Sequence, residues 1–148
     1  MENIRVLIVD DDAPMRAFIK ASIKSSFPGR VGIIVELDEA GSVDSAMARL
    51  AAKPYDIVLC DWNLPGVKGT ELLAWMKGED KQKETLFLML MAHNEENVVT
   101  EAINMGVNDF ITKPIAADVL SNRLMSAFST ILDLRSNKSG ENDSPARE

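Results

Sequence analysis

Tyr55–Gly66 reads YDIVLCDWNLPG. Ile57, Val58, Leu59 and Cys60 form a short apolar run without alternation, the pattern of a strand covered on both faces of a sheet. The run ends at Asp61, and Trp62, Asn63 and the turn pair Pro65-Gly66 follow. An aspartate after a strand often does no more than hydrogen-bond local backbone. Whether Asp61 is a turn residue or a reactive group depends on what the rest of the chain brings beside it.

Working outward, the same pattern recurs. IRVLIV (Ile4–Val9) is a β-rich run closed by Asp10-Asp11-Asp12, and a helical stripe of Met15, Phe18, Ile19, Ser22 and Ile23 follows. Pro14 is tolerated in that helix's first turn and Pro28-Gly29 stops it. GIIVEL (Gly32–Leu37) is a second strand, and Val43, Ala46, Met47, Leu50 and Ala51 mark a second helix ending near Pro54. After the third strand, Leu72, Leu73 and Met76 define a third helix. LFLMLM (Leu86–Met91) is the fourth strand, with Val98, Val99, Ala102 and Ile103 on the helix behind it. NDFIT (Asn108–Thr112) is the fifth strand. Val119, Leu120, Leu124, Ala127, Phe128, Ile131 and Leu132 lie on a last helix. Five strand–helix alternations call for a doubly wound α/β fold, a parallel sheet with helices on both faces. From Ser136 the chain is polar, with Gly and Pro, so residues 1–135 are expected to form the domain and 136–148 a flexible tail or linker.

Composition bounds the function. The chain has 148 residues, 46% hydrophobic and 26% charged, enough for one domain with a real core. A net charge of −7 disfavours binding to nucleic acid or to anionic membranes. One cysteine, Cys60, and one histidine, His93, exclude an internal disulfide and argue against a Cys-rich or multi-His metal centre. There is no basic-then-apolar leader and no long uncharged apolar stretch, which reads as a cytoplasmic protein.

In an open parallel α/β sheet, ligands bind beyond the carboxyl ends of the strands. This chain places Asp10 and Asp11 at the end of the first strand, Asp61 at the third and Lys113-Pro114 at the fifth. Crowded carboxylates repel unless a cation sits among them, and Mg²⁺ suits carboxylates that also meet phosphate oxygens. Lys113 supplies a point charge for a phosphoryl group. Asp61 is then a nucleophile of the kind that forms aspartyl phosphates. The residues alone point to a Mg²⁺-dependent phosphoryl-handling site.

VLIVDDD with Pro14-Met15-Arg16, DIVLCDWNLPGVKG and DFITKP together resemble the receiver domain of two-component response regulators, of the chemotaxis-regulator type. The resemblance covers roughly Ile4 to Leu134. It implies a flavodoxin-like (βα)5 fold with a five-stranded parallel sheet in the order 2-1-3-4-5. It implies that Asp61 is the phosphoacceptor, and that Asp10, Asp11, Asp61 and the backbone carbonyl of Asn63 hold Mg²⁺, with Mn²⁺ as a substitute. Of the acidic pair, Asp11 would be the direct ligand and Asp10 would act through water. Lys113 would contact the phosphoryl oxygens, and Lys113–Pro114 would be a cis peptide. The phosphodonor would be a sensor histidine kinase or a His-containing phosphotransfer protein. The product would act in signal transduction on a downstream protein through the face of the fourth helix, fifth strand and fifth helix, without contacting nucleic acid or membrane. Such a domain is not an enzyme beyond its own phosphorylation and dephosphorylation.

The resemblance also locates a departure. The family's Ser or Thr switch position falls on Met91, and its aromatic switch position on Phe110, so neither carries a hydroxyl. This keeps a second reading open, a pseudo-receiver whose contacts do not depend on phosphate. A hydrolase of the aspartyl-phosphate type is a third, although Asn63 stands where that class carries its second acid. Asn63 and His93 are candidates for tuning phosphoryl lifetime, and an exposed loop histidine is the commoner case. Asp12 is expected to cap the first helix, Cys60 to be a buried small hydrophobe and Trp62 to lie at the site's rim. Arg16, Lys20 and Lys24 share a helix face that is ordinarily solvated.

Overall fold

The computed structural model describes residues 2–27, 32–92 and 98–143. Strand β1 (Glu2–Val9), helix α1 (Ala13–Ser26), β2 (Ile33–Ala40) and α2 (Val43–Ala52) come first. They are followed by β3 (Ile57–Asp61), a two-stranded hairpin of β4 (Asn63–Leu64) and β5 (Val67–Lys68), and α3 (Gly69–Lys77). A 3-10 turn over Asp80–Gln82 leads to β6 (Leu86–Ala92), α4 (Val99–Met105), β7 (Asp109–Lys113) and α5 (Ala117–Asp143). The sheet order is β2-β1-β3-β6-β7 and every pairing in it is parallel. Counting sheet strands alone, that is 2-1-3-4-5, the doubly wound flavodoxin-like arrangement.

Successive side chains of a strand point to opposite faces, and here both faces are covered. Leu7, Val9, Val58, Cys60, Phe87, Met89 and Met91 pack with Leu50 of α2, Leu72, Leu73 and Met76 of α3 and Ala102 of α4. Val6, Ile8, Ile57, Leu59, Leu88, Leu90 and Ile111 pack with Ile19 and Ile23 of α1 and Leu120, Leu124 and Phe128 of α5. Two apolar layers explain why the strands read as unbroken hydrophobic runs.

The structure corrects several local expectations. Phe18 is 42% exposed, and Ile19 and Ile23 are the buried residues of α1. At 100° per residue, one stripe facing the sheet holds Ile19 and turns Phe18 away. The residues after Asp61 form the β4–β5 hairpin, with Asn63 opposite Lys68 and Leu64 opposite Val67. Gly66 takes a φ of +78° in its turn, a left-handed value that favours glycine. Trp62, placed at the rim by the sequence, is 5% exposed and belongs to the core layer of α2, α3 and α4. The stop signal Pro28-Gly29 lies outside the described residues.

The last helix also passes Ser136 and runs to Asp143. Its end is tied to the amino-terminal edge of the sheet. The Arg135 guanidinium donates to Glu2 at 2.6 Å, to the Asn3 carbonyl at 3.0 Å and to Asp56 at 3.1 Å. One turn on, Lys138 donates to Glu84. Lys138 is the tether inside the segment that, lacking an apolar stripe, reads as a tail.

Phe128 joins the helices of one layer. It is 1% exposed and meets Phe27 edge-on, with ring centroids 4.9 Å apart. Phe128→Ala is expected to cost about 3–5 kcal/mol of folding free energy, measured as a lowered urea midpoint at unchanged slope.

Candidate functional site

The carboxyl ends of β1, β3 and β7 lie side by side. Val9 pairs with Cys60 and Ala92 with Lys113, so the residues at or after those ends share one edge of the sheet. Asp10, Asp61 and Lys113 have the same strand parity, and their side chains leave on the α1/α5 side. Asp10 is 0% exposed and Asp61 7%. Oxygens of Asp10, Asp11 and Asp61 come within 4.8 Å of one another, a group of the kind that holds a metal ion. Asp11 is exposed, so the cluster has an open side.

Lys113 closes the other side. Its ammonium is 3.1 Å from Asp10 Oδ2 and 3.2 Å from Asp61 Oδ2. Burial alone would lower the lysine pKa, but Asp61 and Asp10 reverse that and hold it above its ordinary range. For Asp61, burial is the largest influence and pushes the carboxyl above the usual aspartate range. Lys113 opposes the shift, Asp10 adds to it, and a hydrogen bond from the Asn63 backbone N–H opposes it. The Lys113–Pro114 peptide is cis.

Other residues shape the acidic pair. The N–H of Asp12 donates to Asp10 Oδ1 at 2.9 Å. Asp12 does occupy the N-cap of α1, yet its side chain makes no capping hydrogen bond; its carbonyl accepts from the Arg16 N–H at 3.1 Å. The Arg16 guanidinium donates to the Asp10 carbonyl and, at 2.9 Å, to Glu39, which also accepts from Lys20 at 2.8 Å. The helix face that reads as solvated thus braces the site through its first two cations. Helical spacing alone cannot reveal this, because Glu39 comes from the end of β2.

A second residue the sequence leaves without a role is Gly69. Its N–H donates to the Trp62 carbonyl at 2.7 Å, and a Cβ there would lie 2.5 Å from the Asp61 carbonyl oxygen and 3.2 Å from Cys60 Sγ. Glycine is what lets α3 start against the strand that carries Asp61. The cue available in the sequence was a glycine at a strand-to-helix entry. Cys60 is fully buried, and burial raises its thiol pKa, as befits an inert core residue.

Met91 is 2% exposed and sits in the layer shared with Cys60, Met89 and Leu73. Phe110 is half-buried against the same layer. Positions 91 and 110 therefore both pack under α4 rather than toward the α1/α5 side. His93 lies outside the described residues.

A carboxyl whose pKa is raised by folding destabilises the folded state wherever it must ionise. The folded state then binds more protons than the unfolded chain, so stability falls as pH rises through the interval above the unfolded pKa of about 3.9. Asp61→Asn removes that cost. It is expected to raise the thermal midpoint at pH 7, with the gain vanishing below about pH 4. Calorimetry of both proteins across pH measures the difference.

Comparison with known proteins gives the family. The family model described as "Response regulator receiver domain" matches residues 6–125. Chemotaxis protein CheY-3 of Vibrio cholerae is 32% identical over 127 residues, which are 86% of this chain and 93% of the relative. Chemotaxis protein CheY of Pseudomonas aeruginosa is 30% identical over 86% of this chain and 98% of its own. Among solved structures, the chemotaxis response regulator CheY4 of Vibrio cholerae superposes with a TM-score of 0.74 at 22% identity, covering 84% of this chain and 98% of its own, which shows a shared fold. With acidic strand ends, a facing lysine and a family match that spans most of the domain, this chain belongs to the response regulator receiver domain family.

Proposed function

We propose that Asp61 accepts a phosphoryl group from the phosphohistidine of a sensor histidine kinase or a His-containing phosphotransfer protein, in a Mg²⁺-dependent reaction, and that the domain then signals by protein contact. The observation that carries this reading is the convergence of Asp10, Asp11 and Asp61 within 4.8 Å beside the Lys113 ammonium. Three carboxylates against one lysine leave net negative charge in a half-buried pocket. Their donor set is all oxygen, which fits a hard divalent cation such as Mg²⁺, with Mn²⁺ as substitute. Exposed Asp11 would be the direct ligand with Asp61 and the Asn63 carbonyl. Asp10, already engaged by Lys113 and the Asp12 N–H, would act through water. When bound, the ion supplies positive charge to the phosphoryl oxygens.

In the transfer, an oxygen of ionised Asp61 attacks phosphorus. The P–O bond forms as the P–N bond to the donor imidazole breaks, and the departing nitrogen keeps the electron pair and takes a proton. Lys113 favours the ionised carboxylate before attack and meets the phosphoryl oxygens afterwards. The domain is a signalling acceptor rather than an enzyme, beyond catalysing its own loading and unloading. Its working compartment on this reading is the cytoplasm. Its downstream protein contact would use the face of α4, β7 and α5, where Ile103, Val119 and Met125 are exposed. No helix among the described residues is long and apolar enough to cross a membrane.

Intact mass after incubation with a small-molecule phosphodonor and Mg²⁺ tests the acceptor. Wild type should gain one phosphoryl group, Asp61→Asn none, and Lys113→Ala much less than wild type. Mg²⁺ alone should change the fluorescence of Trp62, read most cleanly in Trp75→Phe. A titration that leaves both fluorescence and melting temperature unchanged would sink the metal site.

Buried Met91 favours a second reading, in which phosphate loads but moves little. A ligand shifts a conformational equilibrium only by its differential affinity for the two states. A lost hydrogen bond to a charged group forfeits roughly 1.5–3 kcal/mol, or about one to two decades. Amide exchange across residues 92–114, with and without a beryllofluoride-type mimic, separates the readings. The expected result is a small change in wild type that grows in Met91→Thr. A large change in wild type would show that the switch works without the hydroxyl.

A further inference from the structure

The β4–β5 hairpin, which follows directly on Asp61, holds a cation that the phosphoacceptor reading does not use. Asn63 and Lys68 are cross-strand partners. The Lys68 ammonium donates to Asn63 Oδ1 at 2.8 Å and stands 5.9 Å from the centre of the Trp62 ring. The hairpin itself is anchored at both ends. The Gly69 N–H bonds the Trp62 carbonyl, and the Lys68 N–H donates to Glu71 at 3.1 Å. An ammonium has only donors, so the amide atom facing it is the oxygen, and the NH₂ group is turned away. Lys68 therefore selects one of the two flip states of the Asn63 amide.

That choice has a chemical consequence. The Asn63 backbone N–H donates to the Asp61 carboxylate, which puts residue 63 within one residue's reach of any group carried by Asp61. Loss of the phosphoryl group requires a water oxygen to attack phosphorus, breaking the bond to Asp61. Asp61 recovers its carboxylate, inorganic phosphate leaves and the water's proton passes to solvent. An amide oxygen at the rim can accept a hydrogen bond from that water and aim it. The geometry points to Lys68 as a positioning residue that engages this oxygen, withholds it from the attacking water and so lengthens the life of the aspartyl phosphate. The inference rests on the phosphoacceptor reading of Asp61.

Lys68→Met keeps an unbranched side chain and removes the donor. The decay of the phosphorylated protein, freed of excess phosphodonor and followed by intact mass, should be at least threefold faster in Lys68→Met. Lys68→Arg should decay at the wild-type rate. In an Asn63→Ala background, Lys68→Met should have no further effect, because the lysine acts through that amide. Unchanged or slower decay in Lys68→Met, or an equal acceleration in the Asn63→Ala background, overturns the proposal. The clamp is also read without phosphate. The Asn63 side-chain amide signals in a nitrogen–proton correlation spectrum should shift in Lys68→Met and not in Lys68→Arg, and their staying put in Lys68→Met overturns it too. Absence of any Asp61-dependent adduct in wild type would instead refute the acceptor reading, and leaves those spectra as the measure of the clamp.

Discussion

Three carboxylates packed within 4.8 Å, two of them buried, repel one another in every folded molecule, and Lys113 is what offsets that repulsion. Its ammonium reaches Asp10 and Asp61 from β7, across the intervening strands of the sheet. The pair interactions are strong because the groups are shielded from water, and the pocket remains net negative after the lysine is counted. Exposed Asp11 leaves one side of that site open to solvent. The site's charge imbalance links the stability of the fold to the chemistry proposed for it.

The rest of the structure keeps that edge in register. Two apolar layers cover β1, β3 and β6, so a slip of one residue would exchange every inward side chain for its neighbour on the opposite face. Close contacts then refine the edge locally. Gly69 lets α3 begin against the Asp61 carbonyl, Arg16 and Glu39 hold the Asp10 peptide from the side of β2, and the β4–β5 hairpin positions Asn63. At the far end, Arg135 and Lys138 fasten α5 to the beginnings of β1, β3 and β6. That end carries no part of the acidic cluster, so changes there act on stability and on the α5 surface.

Met91 and Phe110 lie across the sheet from the acidic cluster. Both belong to the layer beneath α4, whereas Asp10, Asp61 and Lys113 leave the sheet on the other face. On the proposed reading, a hydroxyl at position 91 would link these two sides once phosphate is bound. A thioether packed among Met89, Cys60 and Leu73 ties position 91 to the core instead. The Lys68 clamp on Asn63 concerns a different quantity, the time for which the acceptor stays loaded. On the proposed reading, loading, persistence and response would depend on separate residues of one edge.

By itself the sequence determined the five strands of the main sheet, their succession and the residues at their ends, but not the β4–β5 hairpin. Apolar runs such as Ile57–Cys60 and the helical stripes between them are local patterns, and the edge rule for parallel sheets does the rest. Asp10, Asp11, Asp61 and Lys113 could be brought to one site on those grounds. Burial of Trp62, the bracing role of Arg16, the need for Gly69 and the pairing of Lys68 with Asn63 were decided only in three dimensions. The continuation of α5 past Ser136 was likewise invisible, because a segment without an apolar stripe gives no helical periodicity. Each of these depends on a partner distant in the chain or on which way a hairpin turns. Periodicity and charge are properties of a segment, whereas a contact belongs to two segments at once, and only packing decides which two.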